Sequence, residues 1–218
     1  MNFYLLIIKT LMPPERADKK RRRIACIGDS ITFGAGVIRT RKTDAWTSLW
    51  GKRLGKGFQV LNYGVSGATL QREGDSPYRK VGYLKRLEKA QPELMLLMLG
   101  TNDAKPFNWD EGRYAREYEE LVRELRDKPW PHRLVLMAPP KAFPEEQSGV
   151  IPFDIQNEPI HDSIRPLVFS LGEKYDLQVI DLYALTKEHP EYFGDGVHPN
   201  ALGNRVIAEH LQREIAVD

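Results

Sequence analysis

The chain has a single cysteine, almost no net charge and none of the common nucleotide-binding loops. Cys26 alone excludes an intramolecular disulfide and provides no cysteine cluster for zinc. The 32 basic and 30 acidic residues leave a net charge of +2, which gives the domain no electrostatic footprint for nucleic acid. Neither Gly-x-x-x-x-Gly-Lys-Ser/Thr nor a Gly-x-Gly-x-x-Gly after the first strand occurs, so nucleotide binding by those routes is disfavoured. No histidine and carboxylate spacing suggests a metal site, and we expect no cofactor.

A long hydrophobic run is also missing. Residues 3–12 are largely apolar but interrupted by Lys9, whereas a spanning helix needs roughly 20 apolar residues. The basic cluster at 19–23 follows this run instead of preceding it, unlike a signal peptide. We therefore expect residues 1–22 to be a poorly ordered extension, residues 23–218 to be the domain, and no stable membrane insertion. A cytoplasmic location is favoured, with a secreted or periplasmic one left open.

Short apolar runs alternate with longer amphipathic stretches along the domain. Because two of the runs are apolar almost throughout, they are typical of strands covered on both faces of a parallel sheet. This pattern predicts a three-layer α/β/α sandwich with right-handed crossovers. Pro159 and Pro166 should kink or split the fourth helix, and residues 139–159 are the best candidate for a mobile loop. The predicted strands cover 24–27, 58–63, 94–99, 134–138 and 177–182, and the predicted helices 45–54, 78–90, 109–126, 155–174 and 201–215.

A serine follows the first predicted strand on a tight turn, Gly28-Asp-Ser30. In open parallel sheets the ligand crevice lies at the carboxyl ends of the strands, so Ser30 should face it. A serine hydroxyl is a weak nucleophile unless a nearby base takes its proton. Of the five histidines, only His198 lies in a loop after a strand with an acid, Asp195, one helical turn before it. Asp195 can fix the imidazole tautomer and leave the other ring nitrogen for Ser30, although an ordinary surface histidine also fits this position.

Acyl transfer also requires hydrogen-bond donors for the developing oxyanion. The backbone N–H of Gly67 and the side-chain amide of Asn102 follow the second and third predicted strands. Glycine and asparagine are common at strand ends for reasons of turn geometry alone. Each segment is therefore weak evidence by itself, but four of them in order at four strand ends favour an ester-cleaving site. The missing Gly-x-Ser-x-Gly elbow argues against the standard α/β-hydrolase fold.

Together these segments resemble the four motif blocks of the SGNH hydrolases, also called GDSL esterases/lipases. The blocks are 28–31 (GDSI in place of GDSL), 62–67, 100–103 and 195–198, and the resemblance extends over residues 24–212. It implies a flavodoxin-like five-stranded parallel sheet. It also implies that Ser30 is nucleophile and oxyanion donor, that Gly67 and Asn102 are further donors, and that Asp195 and His198 form the base.

Residues 99–109 are similar to bacterial sialate- or xylan-type O-acetylesterases and to platelet-activating-factor acetylhydrolase subunits. This resemblance implies a carboxylic ester hydrolase that acts on small acyl groups, above all acetyl, on a carbohydrate. Phe107 and Trp109 are candidate substrate contacts that could stack on a sugar, although packing at the start of a helix explains them equally well.

Other readings stay open at this point. One is a lysophospholipase or thioesterase of the same family that accepts longer acyl chains. A second is a non-catalytic, flavodoxin-like module that binds a mononucleotide, and a third is an inactive carbohydrate-binding relative. The expected partner is a small-molecule or carbohydrate ester, not nucleic acid, and a homo-oligomer is left open.

Overall fold

Five parallel strands form the centre of the protein. The computed structural model describes residues 15–130, 132–145 and 148–217. The strands lie in the order β2-β1-β3-β4-β5, and all of the pairings are parallel. This order confirms the predicted flavodoxin-like sheet. The strands are β1 (Arg22–Gly28), β2 (Phe58–Gly64), β3 (Leu94–Met98), β4 (Arg133–Ala138) and β5 (Gln178–Asp181).

Helices connect the strands and cover both faces of the sheet. The α-helices are α1 (Ser30–Phe33), α2 (Arg41–Asp44), α3 (Trp46–Leu54), α4 (Tyr83–Ala90), α5 (Glu111–Arg126), α6 (Arg165–Tyr175), α7 (Leu182–Thr186) and α8 (Ala201–Glu214). Short 3₁₀ helices span Ala35–Thr40, Tyr78–Val81 and Pro190–Tyr192, a turn with left-handed residues spans Pro152–Asp154, and a π-helix spans Pro159–Ile164. Within the residues described here, no helix is long and apolar enough to cross a bilayer.

The side chains of each strand alternate between two hydrophobic cores. In β1, Ala25 and Ile27 face the core formed with α4, α5 and α6, while Ile24 and Cys26 face the core formed with α3 and α8. All four are at most 1% exposed. Since both faces are covered, the central parts of the strands are mostly apolar, which is why the runs were readable from the sequence. The three-layer α/β/α architecture is thereby confirmed.

Two predicted helices are divided in the structure. The segment predicted over 78–90 begins as a 3₁₀ turn and becomes α4 only after Gly82, which has φ of 83°. The segment predicted over 155–174 opens with the π-helix and continues as α6. Pro166 lies in the first turn of α6, where its missing N–H is tolerated and the wider preceding turn takes up the irregularity.

The segment before β1 contacts the edge strand β2. Gln59 of β2 donates from Nε2 to the carbonyl of Arg16 at 3.1 Å, and its Oε1 accepts from the backbone N–H of Asp18 at 2.7 Å. Strand β1 itself begins at Arg22. The rest of the extension predicted as poorly ordered, residues 1–14, lies outside the described residues, and there the prediction stays a prediction.

A glycine at the end of β2 lets this strand approach the backbone of α1 closely. A Cβ built on Gly64 would lie 2.2 Å from the backbone nitrogen of Phe33 and 2.6 Å from its Cα. Phe33 ends α1, the short helix that Ser30 begins. Because backbone atoms cannot move aside as a flexible side chain can, any larger residue at position 64 must displace this turn.

We therefore expect Gly64→Ala to lower the free energy of unfolding by about 1–3 kcal/mol through overpacking. For a domain of this size, each kcal/mol corresponds to about 2–4 °C in Tm. Thermal unfolding followed by circular dichroism measures the change. Gly57→Ala is the matched control, because a Cβ at Gly57 meets no atom within 4 Å. Equal Tm values for the two variants would contradict the close-packing argument.

Candidate active site

The residues predicted from the strand ends line one cavity. Ser30, Gly67, Asn102, Asp195 and His198 all contribute to a cavity of about 540 Å³ at the carboxyl edge of the sheet. A larger depression of about 790 Å³ lies between α4 and the segment before β1, and it contains none of these five residues. The residues predicted from the sequence therefore lie together at the smaller of these two cavities.

The turn that carries Ser30 is held by the residue before it. Asp29 caps α1, with its Oδ1 accepting the backbone N–H of Ile31 at 2.9 Å. This places Ser30 at the first helical position, directly after β1, with 5% of its surface exposed. Burial raises the pKa of Asp29 to about 6, despite the hydrogen bond from Ile31 and the nearby His198.

His198 bridges Ser30 and Asp195. Its Nε2 lies 2.9 Å from Ser30 Oγ, and its Nδ1 lies 2.6 Å from Asp195 Oδ2. The other carboxylate oxygen of Asp195 accepts the backbone N–H groups of His198 at 2.7 Å and Val197 at 3.1 Å. One carboxylate thus fixes both the imidazole ring and the turn that carries it.

The charge of Asp195 favours one tautomer of the imidazole. Burial by itself raises the pKa of Asp195, but the hydrogen bond and charge of His198, with the two backbone N–H groups, outweigh it and hold the pKa below its usual value. The ionised carboxylate accepts from Nδ1–H, so Nε2 presents its lone pair to the hydroxyl of Ser30. The arrangement can therefore take a proton from Ser30 Oγ.

Gly67 and Asn102, the two further residues predicted as donors, line the same cavity as Ser30. Gly67 has φ of 76°, a left-handed conformation that glycine adopts without strain. Asn102 is 5% exposed and donates one Nδ2 hydrogen to the carbonyl of Ala68 at 3.2 Å. Since an amide nitrogen carries two hydrogens, the second one is left for a ligand in the cavity.

A buried carboxylate that the sequence analysis did not single out holds the loop of Gly67. Asp103 accepts the backbone N–H of Leu70 through Oδ2 and that of Gln71 through Oδ1, each at 2.9 Å. Burial raises the pKa of Asp103 to about 7, against the effect of these two N–H groups. Its position next to Asn102 was the only signal in the sequence.

The sequence analysis also did not single out Asn108, whose side chain hydrogen-bonds to the backbone of Asn102. Its Nδ2 donates to the backbone carbonyl of Asn102 at 2.9 Å and to Asp75 Oδ1 at 3.0 Å. Its Oδ1 accepts the backbone N–H of Asp75 at 2.9 Å. Asp75 lines the cavity and pairs with Lys105 at 3.6 Å. Asn108 therefore joins the loop after β3 to the polar side of the cavity.

The two aromatic residues suggested as substrate contacts do not line the cavity. Phe107 is 65% exposed, and Trp109 packs against Tyr114 of α5 with ring centroids 5.4 Å apart. For Trp109 the structure thus shows packing at the start of a helix. The aromatic residue that does line the cavity is Phe153, whose ring meets the His198 ring edge-on at 5.3 Å.

Within the part of the chain that the structure describes, no group of three or more His, Cys, Asp or Glu side chains is arranged to hold a metal ion.

Comparison with known proteins assigns the chain to a family. The model of the GDSL-like lipase/acylhydrolase family matches residues 26–206, most of the chain. The chain belongs to this family. The matched region runs from within β1 to within α8 and contains every residue of the cavity described above. The family places the domain among the carboxylic ester hydrolases.

Among curated proteins, an acetylxylan esterase from Xylanibacter ruminicola is 32% identical over 212 residues, which cover 88% of this chain. The chain spans 43% of the length of that relative. A carbohydrate acetylesterase family member from Sinorhizobium meliloti has a similar structure, with a TM-score of 0.70, 24% identity, and coverage of 88% of this chain and 96% of the other. For the aryl esterase of M. smegmatis the TM-score is 0.67, the identity 21%, and the coverage 89% and 100%. These two structural likenesses concern the fold.

The raised pKa of Asp103 gives the GDSL-family domain a pH-dependent stability. An unfolded aspartate titrates near ~3.9. The folded pKa is about 7. The contribution of Asp103 to the free energy of unfolding is therefore largest below the unfolded pKa, and it is lost as the pH rises through 7. We expect the free energy of unfolding of the wild type, relative to Asp103→Asn, to fall between pH ~4 and ~7. Urea unfolding at constant ionic strength measures this difference.

Asp176→Asn is the control, since Asp176 is exposed and asparagine tolerates its φ of 51°. The pH dependence measured for this variant is subtracted, so that the effect of the buried group at position 103 remains. A difference for Asp103→Asn that stayed constant or grew with pH would contradict the assignment.

Proposed function

We propose that this protein is a serine esterase that removes small acyl groups, above all acetyl, from a carbohydrate through a Ser-His-Asp acyl-enzyme mechanism. The observation that carries the proposal is the continuous hydrogen-bonded chain from Ser30 through His198 to Asp195. A hydroxyl, a base and an orienting carboxylate in this order are what nucleophilic catalysis by serine requires.

In the first half of the reaction the ester is cleaved and the alcohol leaves. Ser30 Oγ attacks the carbonyl carbon while His198 Nε2 takes its proton, and Asp195 stabilises the imidazolium. The negative charge moves to the carbonyl oxygen, which accepts from the N–H of Ser30, the N–H of Gly67 and the amide of Asn102. The bond to the alcohol oxygen then breaks, and His198 gives this oxygen its proton.

In the second half, water attacks the acyl group on Ser30. His198 takes a proton from this water, and the same three donors hold the oxyanion again. When the bond to Ser30 Oγ breaks, His198 returns the proton to it and the carboxylic acid is released. Ser30 and His198 are then in their starting states, so the cycle consumes only ester and water.

The lining of the cavity supports a polar alcohol part. Ser66, Asp75, Ser76 and Lys105 provide donors and acceptors on one side of it. The acetylxylan esterase to which the chain is 32% identical supports the same choice, an acetyl group on a sugar. The segment 139–152 mixes charged and polar residues with apolar ones, unlike an apolar lid over a lipid site.

The nucleophile is tested by Ser30→Ala. We expect this variant to keep its Tm and to lose hydrolysis of p-nitrophenyl acetate by at least about 10³-fold, because the acyl-enzyme cannot form. It should also lose labelling by a fluorophosphonate, which phosphonylates Ser30 Oγ and releases fluoride. Ser170→Ala, an exposed serine of α6, is the control and should be labelled like the wild type. Labelling that survives in Ser30→Ala would place the nucleophile elsewhere.

The acyl group is tested with p-nitrophenyl acetate, butyrate and octanoate. We expect kcat/KM to be highest for acetate, and the purified protein to release acetate from acetylated xylan. A maximum at octanoate would favour a longer-chain acyl hydrolase instead. An alternative outcome is that the protein hydrolyses p-nitrophenyl acetate but releases acetate from no acetylated sugar. In that case the esterase activity stands and the carbohydrate substrate is refuted.

A further inference from the structure

The geometry of the site determines on which side the alcohol part of the ester must lie. His198 has to protonate the leaving alcohol oxygen, so this oxygen must come within hydrogen-bond reach of His198 Nε2. The carbonyl oxygen must point to Gly67 and Asn102 instead. The group attached to the alcohol oxygen therefore extends past the imidazole ring. Residues that border His198 on the cavity side are the ones that this group meets.

Phe153 borders His198 on that side. The two rings meet edge-on, with centroids 5.3 Å apart and planes at 66°. Phe153 remains 52% exposed and lines the cavity together with Ser30. A large apolar side chain that is half exposed beside a reactive histidine presents a free ring face to whatever occupies the cavity.

The backbone at Phe153 has an uncommon conformation. Phe153 and Asp154 both have left-handed conformations, with φ of 62° and 58°. Side chains other than glycine adopt this region at a cost, so the surrounding contacts must hold the turn. Asn157 closes the loop behind it, because its Oδ1 accepts from the N–H of Ala142 at 3.0 Å and its Nδ2 donates to the carbonyl of Ala142 at 2.8 Å.

The loop that carries Phe153 is also fastened to the turn between Asp195 and His198. The backbone N–H of Phe143 donates to the carbonyl of Gly196 at 2.8 Å. Gly196 has φ of 78°, and a Cβ there would lie 2.2 Å from the carbonyl oxygen of Phe143 and 3.4 Å from Pro152. The backbone of the loop that carries Phe153 thus contacts the turn that carries His198. The position of Phe153 relative to His198 therefore does not depend on the contact between their rings alone.

We infer that Phe153 is a specificity-determining residue, whose ring face packs against the sugar ring that leaves as the alcohol. This inference rests on the proposed function. A pyranose has faces made of C–H groups, and such a face can cover the aromatic ring while the sugar hydroxyls remain free for hydrogen bonds. Asp75 and Lys105 line the same cavity and provide groups for those hydroxyls.

The experiment compares acetate esters that differ only in the alcohol part. Release of acetate is measured for methyl tri-O-acetyl-β-xylopyranoside and for ethyl acetate, whose alcohol is too small to cover the ring. Phe153→Ala should lower kcat/KM for the xyloside by about tenfold or more and change that for ethyl acetate by less than about twofold. Phe153→Trp should retain the xyloside activity, because it preserves an aromatic face. Phe169→Ala, on the outer side of α6, is the control for loss of an exposed phenylalanine.

Two esters that share an alcohol part, p-nitrophenyl acetate and p-nitrophenyl butyrate, test whether Phe153 affects the preference for the acyl group. The ratio of their kcat/KM values should be the same in Phe153→Ala and the wild type, because the ring is expected beside the alcohol. A changed ratio, an equal loss for the xyloside and ethyl acetate, or no loss for either would overturn the inference while the esterase activity stands. A wild-type enzyme that cleaves ethyl acetate but no acetylated sugar would refute the carbohydrate substrate and, with it, this role of Phe153.

Discussion

The hydrogen bond between His198 Nε2 and Ser30 Oγ, 2.9 Å long, joins residues 168 positions apart in the chain. Their strands are not neighbours, since β3 and β4 lie between β1 and β5. The contact depends on α8 packing beside α3. Asn204 of α8 accepts the backbone N–H of Trp46 at 2.8 Å and donates to the carbonyl of Pro199 at 2.6 Å. One buried amide thus ties the residue after His198 to the first residue of α3.

Two buried carboxyl groups support the rest of the site. Asp29 caps the helix that begins at Ser30, and Asp103 holds the loop that carries Gly67. Both are fully buried, and burial raises the pKa of each. The same groups that order the donors around the cavity therefore oppose folding where they are ionised. Such local destabilisation is common where side chains are arranged for binding or chemistry.

The strands and the residues around Ser30 could be predicted because each leaves a local signal. Strands covered on both faces are apolar runs, and Asp195 stands at a fixed short distance from His198. Phe153 could not be predicted, because it lies in a loop without periodicity and reaches His198 only through the folded backbone. Trp109 is the opposite case, a residue that the sequence suggested as a substrate contact but that packs on Tyr114. A tryptophan beside a motif gives the same sequence signal for either role.

The reciprocal hydrogen bonds between Asn157 and Ala142 join the two ends of the loop that carries Phe153. The loop stays anchored between its ends, since Ile155 is buried in the core and the N–H of Phe143 donates to the carbonyl of Gly196. Away from these anchors the entropic cost of closing a loop rises only slowly with its length, so changes at exposed positions such as Val150 cost little free energy. Evolution could therefore exchange this segment as a unit and give the same catalytic framework a different alcohol preference without rebuilding the strand ends.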